Sequence, residues 1–476
     1  MEAGLFRFLR FSLGLEGEVK GLLDGRKGSF DWDACYLFAK RQTLVGVLFD
    51  GIQRLPKELA PARPLLLRWL SDSESIRRRN MRMDRASAYV YNKVCAAGFR
   101  CCILKGQGNA LLYPHPSSRI PGDVDVWVVA NREELRHITL SLTEGDGSSL
   151  QESLNHIGLT VHGVSVELHS TPALLNSPLH NSRLQRWLKR NADLQCSNRI
   201  ALPDNAGEVA VPTVSFNIIY QLCHLFHHCF YEGVGLRQIV DYYFVLKNTD
   251  FSGNTNGASG NTDEGCLFLN TDYTDFTDRF SGNTDEDGVL SNTDYTDSTD
   301  SSSGDFEGDG CFLNTDYTDR FSGHTDEECF LLNTDCADFL DSSSGGLGEV
   351  DSGGALVALQ EELKWLGLWK FAGAVMYVLR EVMGLDEKRM ICAPDERRGR
   401  LLLEEIMAGG NFGHYDERNH FGQGALWHNI QRFRRDRRML RFYPSEALSE
   451  PLFRVCHFLW RWKQKHTGKP KERNRN

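Results

Sequence analysis

An acidic tandem repeat splits this chain, and any fold must accommodate the division. Asn-Thr-Asp begins at residues 248, 270, 292 and 314, always 22 residues apart, and a second set begins at 261 and 283. Asp-Arg-Phe-Ser-Gly occurs at 278–282 and again at 319–323. A fixed period can signal a solenoid, but these units carry few apolar side chains and many Asp, Ser, Thr and Gly. They can bury too little surface to offset the entropy of ordering the chain. Residues 248–353 are therefore expected to be a disordered insertion in a loop between helices, whose deletion leaves a folded protein. The nonapeptide and EF-hand spacings that calcium requires are missing. The tract has 25 acidic residues against 2 basic ones, a net charge of −23. The remainder has 52 basic against 39 acidic residues, or +13.

Outside the tract, composition is that of a globular protein with a large core. No apolar run reaches the roughly 18–20 residues that a membrane-spanning helix needs. The apolar stretch Met1 to Leu15 is broken by Arg7 and Arg10 and lacks the small-residue cleavage site of a signal peptide. Thirteen cysteines, an odd number without a CxxC pair, read as reduced thiols of a cytoplasmic protein.

Hydrophobic spacing predicts helix over 32–55, stopped by Pro56, and one long helix over 63–95 with an Arg-rich face at Arg77, Arg78, Arg79, Arg82 and Arg85. Residues 101–170 change period. Cys101–Leu104 reads as a strand ending at a Lys105-Gly106 turn, and Val124–Val129 as a second strand. A helix follows at 133–142, and 159–168 reads as strand around a turn at His162-Gly163. This is an α/β pattern in a short space. The expected fold is α+β: a helical region (1–100), a small mixed-sheet core (101–212), a helical region (213–247), the acidic insertion (248–353) and a helical C-terminal region (354–476). Within the last, helices are expected over 356–383, 400–407 and 451–462, the last capped by Ser445.

The informative segment is Arg119-Ile120-Pro121-Gly122-Asp123-Val124-Asp125-Val126-Trp127-Val128. Side chains alternate along a strand, so Asp123 and Asp125 share a face. Two carboxylates there repel unless a cation sits between them, and an all-oxygen set suits Mg²⁺. Asp-x-Asp beside Gly is also common in turns. Here apolar residues flank both acids, and Val166-Glu167-Leu168 supplies a third acid in strand-like surroundings. Together they could complete a two-metal site. His169 shares the face of Glu167.

These residues resemble the nucleotidyltransferase superfamily that includes DNA polymerase β, and within it the bacterial group labelled "uncharacterised nucleotidyltransferase". The resemblance rests on Leu104-Lys105-Gly106, Tyr113-Pro114, Arg119 and Asp123-Val124-Asp125. It continues at His224–His228, at Gly235-Leu236-Arg237-Gln238-Ile239-Val240-Asp241 and at Gly410-Asn411-Phe412-Gly413. The chain departs from the superfamily in having Lys-Gly at the glycine turn, Glu at the third acid and the acidic insertion. The resemblance implies transfer of a nucleoside monophosphate from an NTP such as ATP to a hydroxyl-type acceptor, with release of pyrophosphate. Asp123 and Asp125 would then bridge two Mg²⁺ (or Mn²⁺) ions. Glu167 would ligand the second ion and take the acceptor's proton. The Gly106 turn would offer backbone N–H groups to phosphate, and Lys105 and Arg119 would neutralise the pyrophosphate.

Other features are weaker. His224, His227 and His228 have a spacing that can chelate metal from a helix, but their apolar neighbours favour core histidines. Arg237 and Asp241 are spaced for an intrahelical ion pair or for lining a cleft, to which His169 and His224 would also contribute. The arginines of 432–441 read as a solvated helix face rather than a nucleic-acid platform. The alternatives to an enzyme are an inert protein of the same fold that holds a partner, or a phosphate- or nucleic-acid-binding module. The sequence leaves the acceptor and the oligomeric state open.

Overall fold

The computed structural model describes residues 2–17, 30–143, 150–249, 352–416, 418 and 425–467. The chain separates into two units, Met1–Leu269 with Val350–Asn476, and Asn270–Glu349. The second unit, and all but the ends of the expected insertion 248–353, lie outside the described residues.

The first unit is α+β, with a five-stranded mixed sheet. Helices α1 (Glu2–Ser12), α2 (Trp32–Arg41) and α3 (Val45–Gln53) lead into α4 (Arg63–Ala96). The single helix expected over 32–55 breaks into α2 and α3 because Thr43 takes a left-handed conformation, φ +54°. Pro64 stands in the first turn of α4, where its missing N–H costs nothing. Gly98, at φ +84°, turns the chain into the sheet.

The sheet order is β1-β2-β5-β4-β3, from β1 (Cys101–Leu104), β2 (Val124–Val128), β3 (Gln151–Glu152), β4 (His156–Val161) and β5 (Val164–His169). Among the described strands only the β2–β5 pair is parallel; α6 (Arg132–Leu142) lies between these strands in sequence, after the short α5 (Gly106–Ala110). A second hairpin, β6 (Arg199–Leu202) and β7 (Gly207–Ala210), follows α7 (Pro178–Ser197). Neither the hairpin nor α7 is among the elements expected from sequence.

Strand alternation divides the sheet into two chemically different faces. Val124, Val126, Val128, Val166, Leu168, Ile157 and Leu159 form one core with Val90 and Val94 of α4 and Leu135 and Ile138 of α6. On the opposite face, Cys102, Leu104 and Trp127 join a larger, helical core. That core includes α8 (Val214–Tyr231), α9 (Leu236–Lys247), α10 (Ser352–Trp365), α11 (Trp369–Met383) and α12 (Glu396–Gly409). The alternation puts Asp125, Glu167 and His169 on the face toward these helices.

Between α10 and α11 the left-handed Gly367 (φ +73°) approaches the His180 ring so closely that a Cβ would clash with it. The chain ends in α13 (Ala425–Leu440) and α14 (Pro444–Thr467). The last helix starts seven residues before the expected Pro451 and contains it. Its first turn is anchored by the buried Glu446, whose carboxylate accepts from the backbone N–H groups of Asn176 and Ser177. Among the described residues no helix is long and apolar enough to cross a membrane.

Candidate active site

A cleft of about 380 Å³ opens on the polar face of the sheet. It is lined by Lys105, Gly106, Arg119, Asp123, Asp125 and Glu167, and further round by His169, His224, Arg237 and Asp241. Every candidate residue from the sequence therefore borders one space.

The sheet register brings the acids together. Asp125 of β2 stands opposite Glu167 of β5 in the parallel pair. Asp123 lies just before β2. Burial raises its pKa, and the negative charges of Glu167 and Asp125 push it the same way. Asp125 is different. Its Oδ2 lies 3.0 Å from Lys105 Nζ, and its Oδ1 lies 3.0 Å from His169 Nε2. Burial opposes its charge, but Lys105 and His169 outweigh burial and hold the carboxyl below the usual range. The imidazole of His169 is shared, with Nε2 also 3.3 Å from Glu167 Oε2. Burial lowers the basicity of His169, yet its hydrogen bonds to Asp125 and Glu167 prevail and raise it.

Lys105 is the turn residue between β1 and α5, in an unfavourable conformation for a side chain (φ +52°, ψ −129°). This strained turn accompanies an ammonium held between Asp125 and His224, whose Nε2 is 3.3 Å away. Burial, and then Lys105, keep His224 neutral by lowering its pKa well below the ordinary value. His224 and His228 meet Nε2 to Nε2 at 3.0 Å, and His228 Nδ1 lies 3.2 Å from Glu232. His227 instead stacks on Tyr231 with ring centroids 4.2 Å apart, and burial takes its pKa down to about 3. The three helix histidines do not converge as a chelate.

Arg119, for which the resemblance implies a phosphate role, lines the cleft and is paired with a carboxylate. Its Nε and Nη2 each lie 2.7 Å from an oxygen of Asp241, whose Oδ1 also accepts from Tyr113 Oη at 2.7 Å. The guanidinium of Arg119 is committed to Asp241, and only 4% of the residue's surface is exposed. Asp241 correspondingly pairs with Arg119 rather than one turn back along its own helix with Arg237. Arg237 donates through Nη1 to the Ile120 carbonyl at 2.7 Å. Burial, and the nearby charge of Arg119, bring its pKa down to about 10.

The Gly410–Gly413 loop reaches the same cleft. It packs on the turn at Gly233–Gly235, where a Cβ on Gly235 would lie 2.9 Å from Asn411 Cα. Phe412, left-handed at φ +54°, thereby sits with its ring 5.1 Å from that of His228.

His156 was missed from sequence. It stands opposite His169 in the β4–β5 hairpin. Counting outward from the His162-Gly163 turn would have found it, since the register of a hairpin follows from its turn. Among the described residues, His156, Glu167 and His169 are the group whose donor atoms lie close enough, within 4.8 Å of one another, to share one ion.

The family described as "uncharacterised nucleotidyltransferase" matches residues 28–256. No curated protein matches the chain. Among solved structures, an antigenic nucleotidyltransferase-like protein from Paracoccidioides brasiliensis aligns at 16% identity, over 35% of this chain and 75% of its own, with a TM-score of 0.23. The acids of β2 and β5, the Lys105 turn and the Arg119–Asp241 pair all fall within residues 28–256, so the segment that carries the site is the part of this chain similar to the uncharacterised nucleotidyltransferase family.

Proposed function

We propose that the cleft transfers a nucleoside monophosphate from an NTP to a hydroxyl-type acceptor, with release of pyrophosphate and dependence on Mg²⁺. The observation that carries this reading is the pairing of Asp125 with Glu167 across parallel strands, with Asp123 beside them, in a cleft that also presents Lys105. The donor set fits a divalent cation. The raised carboxyl of Asp123 reflects burial and like charges left incompletely neutralised, as a cation between the acids would correct. Asp123, Asp125 and Glu167 would hold the metal, which when bound supplies polarisation of the phosphoryl group and a lower pKa for the acceptor hydroxyl.

The remaining work belongs to the chain's own groups. Lys105 Nζ, shared between Asp125 and His224, is positioned to swing onto the triphosphate and offset the charge that develops on the leaving pyrophosphate. The Gly106 turn brings backbone N–H groups to phosphate oxygens. Glu167 accepts the acceptor's proton at a carboxylate oxygen. Burial resists its ionisation, but the His169 hydrogen bond overcomes that and keeps the carboxylate charged at neutral pH. Arg119 and Asp241 hold the wall, and the rings of Phe412 and His228, tilted against each other, give an aromatic edge where a base or acceptor can rest.

The test is transfer of label. The full chain is incubated with MgCl₂, each of the four NTPs radiolabelled at the α-phosphate, and the small-molecule or RNA fraction of a cell extract. Transfer of label with stoichiometric pyrophosphate, absent with Asp125→Asn, is the expected result. No transfer from any NTP, or full transfer by Asp125→Asn, overturns the reading.

A further inference from the structure

We infer that His156, Glu167 and His169 form a mixed nitrogen–oxygen site for a first-row divalent ion, taking Mn²⁺ in preference to Mg²⁺, at the Glu167 end of the acidic cleft. This deepens the nucleotidyl-transfer reading and rests on it for the role of Glu167, but not for the site itself.

The geometry comes from the hairpin. Glu167 and His169 are two residues apart on β5 and share a face; His156 faces His169 from β4. Gly158 stands directly opposite Glu167 and contributes no side chain, which leaves the carboxylate room to reach the His156 ring two residues along β4. The two oxygens of Glu167 are divided between the rings, with Oε1 3.7 Å from His156 Nε2 and Oε2 3.3 Å from His169 Nε2. Two ligands each about 2.1 Å from one ion, at tetrahedral or octahedral angles, lie about 3.0–3.4 Å apart. The two nitrogen–oxygen pairs thus stand near the separations that a shared ion imposes, and one donor atom from each residue lies within 4.8 Å of the others, so small side-chain rotations close the site. The hydrogen that His169 Nε2 now places between Asp125 and Glu167 is the one an ion would replace.

The donor type sets the preference. Mg²⁺ demands oxygen ligands and retains its waters, whereas imidazole nitrogen suits first-row transition ions. Two imidazoles and a carboxylate therefore favour a first-row ion over Mg²⁺, and Mn²⁺ is the first-row ion whose affinity for carboxylates, such as the adjacent Asp125, resembles that of Mg²⁺. The strands also hold these side chains on a rigid framework, which limits the ordering that binding requires.

Mn²⁺ itself is the probe. The full chain is freed of metal with chelator and titrated with MnCl₂ while electron paramagnetic resonance follows the loss of free-ion signal. Spin-echo modulation then reads nitrogen next to the bound ion. The expected result is bound Mn²⁺ with imidazole-nitrogen modulation, retained in a several-fold excess of Mg²⁺. In His156→Ala the affinity should fall by about tenfold or more with weakened modulation, a loss at least as large as that from removing a supporting residue. His156→Gln serves as a second variant if alanine prevents folding, and a thermal melt in chelator checks both. Absence of Mn²⁺ binding, bound Mn²⁺ without nitrogen modulation, ready displacement by equal Mg²⁺, or unchanged affinity in the variants overturns the inference. The label-transfer assay in Mg²⁺ reports separately on the parent reading. Nitrogen-ligated Mn²⁺ without transfer supports this site and sinks only the parent; transfer with unchanged Mn²⁺ binding in the variants sinks only this site.

Discussion

Arg119 and Asp241 lie 122 residues apart in the chain and form a bidentate ion pair in the buried wall of the cleft. Burial opposes the ionisation of Asp241, yet Arg119 holds its carboxyl below the ordinary value. Tyr113 completes the network through its hydroxyl and stacks obliquely near Phe244, with ring centroids 4.7 Å apart. Removing one member of such a pair strands the other charge without water. Arg119→Ala or Asp241→Ala is therefore expected to cost about 3–5 kcal/mol of stability, measured by denaturant unfolding. Arg119→Lys keeps the charge and loses the fork, so it should fall between wild type and alanine. A loss under 1 kcal/mol, on the scale of about 0–1 kcal/mol for a surface pair, would show that the pair is solvated.

Asp123, at the entrance to β2, carries a stability cost that follows from its proposed role. Asp123 is buried beside the charges of Glu167 and Asp125, and its own pKa is raised by both effects. Asp123→Asn removes the like charge. In chelator at neutral pH the variant should melt higher than wild type while nucleotidyl transfer falls to background. A lower melting temperature would mean that the carboxylate is stabilising, and the crowding argument would fail.

How much of this was readable in advance depended on distance along the chain. The β2 alternation is local, and it is enough to pair Asp123 with Asp125 and to offer Glu167 as a third acid; that Glu167 stands opposite Asp125 follows only from the β2–β5 register. The partner on each oxygen of Asp125 is less legible. Lys105 and His169 were both named, but only the register of β1, β2 and β5 makes them partners of the same carboxylate. The partner of Arg119 was not legible at all, because nothing local distinguishes Asp241 from a surface acid spaced for Arg237. The same is true of Gly233 and Gly235, which accommodate backbone from the 410–413 loop. Strands β6 and β7 are four residues each and half exposed, with no alternation strong enough to announce them.

The α4–β1 junction makes a chemical prediction. Cys95 Sγ and Cys101 Sγ are 4.0 Å apart. The hydrogen bond from Cys101 outweighs burial, and Tyr91 and Arg199 add to it, bringing the Cys95 pKa down to about 6. A thiolate is the reactive form, so Cys95 should alkylate with iodoacetamide already near pH 6.5. Mass spectrometry after a brief pulse should find the label at Cys95, and Cys101→Ala should move its onset to higher pH. Labelling of Cys95 that begins only near the ordinary thiol pKa, about 8.5, would contradict the arrangement.

The last two helices hold a buried acid pair, and its pH dependence has a definite sign. Asp436 of α13 and Glu450 of α14 are both buried and share Arg454. Burial, then the hydrogen bond and charge of Glu450, raise Asp436 from the ordinary 3.8 to about 7. A carboxyl that binds its proton more tightly when folded stabilises the fold fully below its unfolded pKa. That contribution drains away as pH rises toward the folded value. The window here runs from about pH 4 to about pH 7. Asp436→Asn keeps a neutral, hydrogen-bonding side chain at every pH. It should melt with wild type near pH 4 and above wild type near pH 8, the gap opening across that window. Parallel melting curves over the whole range would mean that Arg454 neutralises the pair without a shared proton.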